Sequence, residues 1–198
     1  MNRATALIIL AAGESKRMGQ PKQQLIFQGE SLLERAINAG MHANCQPILV
    51  ILGAYHPEKI AERLQDKVQF LVNDQWGKGM ASSILVGVQQ LMQGTLPDQV
   101  ILMLCDQPFA DGHLLKKMIE AQHSSGKPIV ACKYKDTVGV PVLLEKKFFP
   151  HLSKLKGREG AKKLLFEYAN EVAEIPFPLG HIDIDTPEDY DALNKVGK

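Results

Sequence analysis

A chain of 198 residues, 45% apolar and 23% charged, has ordinary globular composition and enough length to bury a real core, which excludes a disordered or low-complexity protein. Its 23 lysines and arginines nearly balance 22 aspartates and glutamates, so no bulk field draws it to nucleic acid or an anionic membrane, and any phosphate binding must be local. The apolar run 6–12 is too short for a signal core or a membrane span, and Cys45, Cys105 and Cys132 are odd in number with no metal-ligand spacing, so a cytoplasmic protein with buried thiols is expected.

Thr5 to Leu10 is a continuous β-rich run, as expected of a strand covered on both faces. Ser31 and Glu34 have capping-box spacing and predict a helix through Ala39. Residues 47–52 read as a second buried strand, 57–64 as a helix begun at proline, and 68–72 as a third strand. Small and apolar residues recur at helical spacing over 79–91, and 99–104 is a fourth strand. Asp111 caps a helix running to about Ser124. Two further strands are predicted at 128–133 and 138–144, helices near 146–151 and 160–169, and a last helix over 187–195. This alternation predicts an α/β fold: a three-layer, doubly wound, mostly parallel, Rossmann-like sheet. No linker, repeat or charge block divides the chain, so one domain over residues 1–198 is expected.

In such a sheet, ligands sit beyond the carboxyl ends of the strands. Three unusual loops fall there: the stretch from Gly13, the stretch 73–79, and the turn at Asp106. Their convergence predicts one site. In Gly13-Glu14-Ser15-Lys16-Arg17-Met18-Gly19-Gln20-Pro21-Lys22, the glycines let backbone amides approach an anion, and Arg17 and Lys22 add fixed positive charge. The spacing is neither that of a Walker loop nor that of a dinucleotide fingerprint. A solvated surface loop could carry the same residue types. Asp106, in Leu104-Cys105-Asp106-Gln107-Pro108, stands where a buried strand ends and suits a Mg²⁺ ligand, although a turn-forming aspartate is the plainer alternative. Asp183 and Asp185 point to one side of an extended segment and could complete a metal site, or the stretch could simply cap the last helix. Asn73, Gly79, Ser82 and Ser83 form a polar loop running into a helix, able to face a base or ribose or merely to make a turn. The basic stretch 156–163 could hold a phosphate on a second substrate or could be a solvated helix start. The six histidines lack zinc spacing, Ser15 lacks a nucleophile-elbow context, and Trp76 with four tyrosines forms no stacking platform for nucleic acid.

Taken together, the first loop, the Leu-Cys-Asp-Gln-Pro turn at 104–108 and Asp-Ile-Asp-Thr-Pro-Glu-Asp at 183–189 resemble the MobA-like nucleotidyltransferase family, and most closely its molybdenum cofactor cytidylyltransferase branch. The resemblance runs from Leu10 to Tyr190. It implies a fold like that of the nucleotide-diphospho-sugar transferases. It also implies that Leu10, Ala11, Ala12, Gly13, Ser15, Asn73, Gly79 and Ser82 contact the nucleotide, with Arg17 and Lys22 on its triphosphate. Asp106 should ligate Mg²⁺, with Asp185 favoured over Asp183 as the second ligand. Arg17, Lys22 and Asp106 would be the catalytic groups.

The implied reaction is transfer of CMP from CTP to a molybdopterin-type acceptor with release of pyrophosphate. A molybdoenzyme could receive the product, and no nucleic acid or membrane partner is expected. A transferase acting on a sugar phosphate or other phosphorylated acceptor is one alternative, and a non-catalytic cofactor chaperone or insertion factor is another. Two departures bear on the acceptor. Val140 stands in Gly139-Val140-Pro141 where relatives acting on molybdopterin often have histidine. Arg158 and Lys162 replace an aspartate and an arginine of the family's Gly-Asp-x-Gly-Ala-Arg stretch.

Overall fold

The computed structural model describes residues 3–196. Its first strand, β1 (Thr5–Ala11), shows how the layers arise. Leu7, Ile9 and Ala11 enter one core and Ala6, Ile8 and Leu10 the other, because successive side chains of a strand point to opposite faces. After β1 come β2 (Ile26–Phe27), β3 (Glu30–Ser31), α1 (Leu32–His42), β4 (Ile48–Leu52), α2 (Glu58–Leu64), β5 (Gln69–Val72) and α3 (Met80–Gln93). Then follow β6 (Gln99–Leu104), α4 (Gly112–Ser125), β7 (Ile129–Tyr134), β8 (Thr137–Glu145), α5 (Phe149–Leu152), α6 (Lys162–Glu167), β9 (Val172–Pro176) and α7 (Pro187–Val196).

The main sheet has the order β5-β4-β1-β6-β8-β7-β9. All its neighbouring pairs are parallel except those of β8, which runs antiparallel to both β6 and β7. Helices α1 and α4 cover one face and α3, α5 and α6 the other. This is the expected three-layer α/β architecture. Strand order reverses at β1: β4 and β5 lie on one side of it and β6 on the other, so a crevice opens where β1 and β6 end.

Local signals held where they were mechanistic. Ser31 and Glu34 form the capping box of α1, and the Asp111 carboxylate accepts from Leu114 N at 2.8 Å to start α4. Two expected helices came out shorter. Residues 146–148 form a 3₁₀ turn before α5, whose Pro150 sits in the first turn where no N–H is required. Helix α6 ends at Glu167, and a second 3₁₀ turn follows at 169–171. Two strand features were not expected. Edge strand β9 is short and ends in Pro176, and β2 and β3 form a two-residue hairpin through Gln28 and Gly29, at φ 51° and 85°. Among the described residues, no helix is long and apolar enough to cross a membrane.

Candidate active site

The loop after β1 is shaped by its own backbone. Ser15 adopts a left-handed conformation, and its carbonyl accepts from Met18 N and Gly19 N at 3.0 and 3.2 Å. Its hydroxyl accepts from Lys22 N at 3.2 Å, so both limbs of the loop are tied together. Buried Gln23 donates its amide to the Ala11 carbonyl at 2.5 Å and fastens the returning limb to the end of β1.

A small third core then aims the charges. Met18 packs in it with Leu25, Phe27, Leu32, Ile184 and Leu193. Met18 adjoins Arg17, and Ile184 adjoins Asp185, so burying the two apolar side chains together brings their charged neighbours face to face. Arg17 donates to Asp185 Oδ2 at 2.6 Å. Lys22 Nζ lies 3.2 Å from Asp106 Oδ2, at the end of β6, and donates also to Asp185 Oδ1. The backbone of Asp185 is itself held, since the Asp189 carboxylate accepts from Asp185 N and Thr186 N at 3.1 and 2.8 Å while capping α7.

The Lys22 side chain is only 14% exposed, Asp106 20% and Asp185 31%, whereas Arg17 is 69% exposed. Burial works against the Lys22 ammonium, but the two carboxylates outweigh it and its pKa lies above the ordinary lysine value. Burial pushes Asp106 above the ordinary aspartate value against the pull of Lys22, with Asp183 and Asp185 adding to the rise. The hydrogen bond from Lys22 holds Asp185 below the ordinary value despite partial burial.

This cluster forms one side of a cavity of about 400 Å³, a volume in the usual range for small-ligand sites. Leu10 through Gly13, Ser15, Arg17, Lys22, Asp106 and Asp185 all line it, and so does Gly79 with Met80 and Ser83 from the start of α3. Gly79, at φ 104°, packs so tightly that a Cβ there would lie 2.4 Å from the Gly157 carbonyl oxygen. The expected contacts Asn73 and Ser82 stand behind the wall instead. Buried Asn73 donates to the hydroxyls of Ser82 and Ser83, both at 2.9 Å, and accepts from Gln75 N. Asp183 is exposed and does not line the cavity. Arg158 is exposed, and Lys162 lies over the Phe166 ring; neither borders the cavity. Nor does Val140, whose carbonyl accepts from the Gln107 amide at 3.0 Å. Contributors not singled out in the sequence include Gln23 and Met80 in the wall and Asp189 behind Asp185, and Trp76, considered there only as a platform for nucleic acid, lines the wall as well. Of these, Asp189 had a legible signal, the capping-box spacing from Thr186.

The residues fit a small, hard divalent cation. The available donors are carboxylate oxygens, and Asp106 Oδ1 is buried without a hydrogen-bond partner. Among the described residues, no three His, Cys, Asp or Glu side chains gather into a self-contained metal site. Two carboxylates would thus share a cation with ligand phosphates, the usual arrangement for Mg²⁺.

Cationic side chains, loop amides and acids at the switch point of such a sheet form the kind of site on which nucleotidyl transfer is run. The model of the MobA-like NTP transferase domain matches residues 7–172, and the chain belongs to that family of nucleotidyltransferases. The purine catabolism protein PucB of Bacillus subtilis (strain 168) is 28% identical over 96% of this chain and 95% of its own length. A probable molybdenum cofactor guanylyltransferase of Trichormus variabilis is 27% identical over 96% of this chain and 89% of its own. Among solved structures, Rv0371c of Mycobacterium tuberculosis H37Rv superposes with a TM-score of 0.80 at 26% identity, covering 98% of this chain and 100% of that one. A structure of Rv0371c in complex with manganese matches with a TM-score of 0.75 at 25% identity over the same shares.

Proposed function

We propose that the chain works as one domain over residues 1–198 and, in the cytoplasm, transfers CMP from CTP to a molybdenum-pterin cofactor with Mg²⁺ as the metal. One observation carries the catalytic part: Lys22 Nζ, 3.2 Å from Asp106 and bonded also to Asp185, joins three chain-distant segments at the mouth of the Gly13 loop. The guanylyltransferase name of one full-length relative supports a pterin-type acceptor, and the manganese complex of another supports a divalent ion. Three free, buried cysteines suit a reducing compartment; burial lifts the thiols of Cys45 and Cys132 to about 12.

In this reading, backbone groups of Leu10 to Gly13 and Ser15 hold the nucleotide, and Arg17 and Lys22 meet its phosphates. Asp106 and Asp185 hold the metal, which when bound neutralises phosphate charge. A phosphate oxygen of the acceptor attacks the α-phosphorus, the α–β bridging P–O bond breaks, and pyrophosphate leaves. The attacking phosphate is already ionised, so the chain supplies position and charge and no general base. In the free protein Lys22 and Arg17 neutralise the two acids. Phosphates arriving with a cation give both pairs new partners of opposite sign.

The test is pyrophosphate release from CTP, GTP, ATP and UTP, each with Mg²⁺ and molybdopterin. Release with CTP is expected. Release with GTP instead would favour the second reading, guanylyl transfer, which the Trichormus relative's name suggests. Nucleotide binding with no release for any of the four defeats transfer to this acceptor. A panel of phosphorylated sugars and alcohols then separates another acceptor from a pure binding role.

A further inference from the structure

We infer that Trp76 is the platform on which the base of the nucleotide packs, and that Asn73 serves it as a positioning residue. This rests on the nucleotide reading above and adds to it the wall that holds the heterocycle.

Trp76 is the only tryptophan of the chain and the only aromatic ring lining the cavity among the described residues. Trp76 is half-buried, yet its ring takes part in no ring–ring or cation–ring contact among the described residues. The stem of the side chain lies close to Gly53, just past the end of β4. A Cβ built on Gly53 would meet Trp76 Cβ and Ala12 Cβ at 2.8 Å each and the Ala12 carbonyl oxygen at 2.5 Å. Trp76 and Ala12 thus both close on Gly53, and both line the cavity. Apart from Trp76, the large apolar residues lining the cavity are Leu10, Met80 and Leu104, whereas its charged groups come from the first loop, Asp106 and Asp185. An aromatic face offers a phosphate nothing and a flat π-system much.

The ring is also pre-set. Trp76 opens a 3₁₀ turn (Trp76–Lys78), and its N–H donates to the Asn73 carbonyl at 3.1 Å. The Asn73 side chain accepts from Gln75 N at 2.9 Å and donates to both Ser82 and Ser83 at 2.9 Å, linking the turn to the first residues of α3. Asn73 is 3% exposed and fully committed to this brace, so it acts on a ligand only through what it holds.

Because one tryptophan supplies all indole emission, fluorescence reads this residue alone. Titrating the protein with CTP and Mg²⁺ should change the emission, whereas pyrophosphate and Mg²⁺, shown to bind by calorimetry, should leave it nearly unchanged. In calorimetry, Trp76→Leu should weaken CTP binding about 10-fold and Trp76→Phe by no more than about 3-fold, since phenylalanine keeps a ring and leucine only bulk. In turnover assays, Trp76→Leu should raise KM for the nucleotide and leave kcat at saturation within about twofold. Asn73→Ala should shift the emission of the free protein and raise KM in the same direction. Equal emission changes from CTP and pyrophosphate, or wild-type affinity in Trp76→Leu, would overturn the platform. So would nucleotide binding by calorimetry without any emission change, which leaves the nucleotide reading standing. If no nucleotide binds at all, both fall.

Discussion

At Gly13 the protein itself makes no demand for glycine: a Cβ there would meet nothing within 4 Å. On the proposed nucleotide reading, the requirement comes from a ligand that approaches the backbone closely. Gly13→Ala is therefore expected to change unfolding free energy by no more than about 0.5 kcal/mol, as surface changes do, while lowering nucleotide affinity about 10-fold or more; calorimetry and thermal melts check both halves. Lys22→Ala and Asp106→Asn should each reduce turnover by about 10²-fold or more if their roles are electrostatic, with circular dichroism confirming a retained fold. Rates near wild type in both would mean that the chemistry lies elsewhere. The clustering of Lys22 and Asp106 could be read from the sequence because loop composition and a strand end placed them on one edge, whereas Asp185 was one of two candidates and was favoured over Asp183 only through the resemblance. The place of Trp76 in the cavity wall and of Asn73 behind it could not be read. What separates a wall residue from a brace is which way a short turn packs, and that depends on Ser82, Ser83 and Gly53, far from any motif rule.

Among the elements, the Met18–Ile184 core decides whether the charges meet. Ile184 is fully buried, so Ile184→Ala should cost about 2–5 kcal/mol and also separate Asp185 from Arg17 and Lys22. Chemical denaturation measures the first effect, and weakened Mn²⁺ binding in the presence of nucleotide, measured by calorimetry, the second. A loss of stability with metal binding intact would show that Asp185 is placed by something other than this core. Long apolar runs such as β1, β4 and β6 were legible because strands buried on both faces need them. Strand β9 was not, since five residues with a single buried side chain and a terminal proline look like a loop until β7 supplies the partner. The β2–β3 hairpin is smaller still and owes its existence to the third core that its Phe27 enters.

For the molecule as a whole, the parallel half of the sheet followed from alternation of strands and helices. The antiparallel insertion of β8 between β6 and β7 did not, because strand order is set by long-range packing. The charged cluster ties the two halves of the chain together, and its stabilisation has a defined pH window. Asp185 is held below the ordinary 3.8, so its contribution is present above that value and is lost as pH falls through the lower, folded-state value. Lys22 is raised above the ordinary 10.5, so its contribution is present below 10.5 and is lost as pH rises through the higher folded-state value. Asp106, raised by burial, acts in the opposite sense to Asp185: its charged form is disfavoured in the folded state, and stability falls as pH rises from 3.8 through its own higher value. The stability gap between wild type and Asp185→Asn should thus shrink in acid as pH falls below 3.8. A gap that persists unchanged at pH 2 would exclude charge as its source.

The central claim is that Lys22 and Arg17 grip a polyphosphate beside a cation held by Asp106 and Asp185. Thermal stabilisation by CTP with Mg²⁺, compared between wild type and Lys22→Ala, tests it most directly. At 100 times its dissociation constant a ligand adds about 2.7 kcal/mol, so wild type should shift clearly upward, while Lys22→Ala should shift little at the same concentration, and neither should respond fully when EDTA removes the metal. Equal shifts in the two proteins, or shifts indifferent to the metal, would contradict the account.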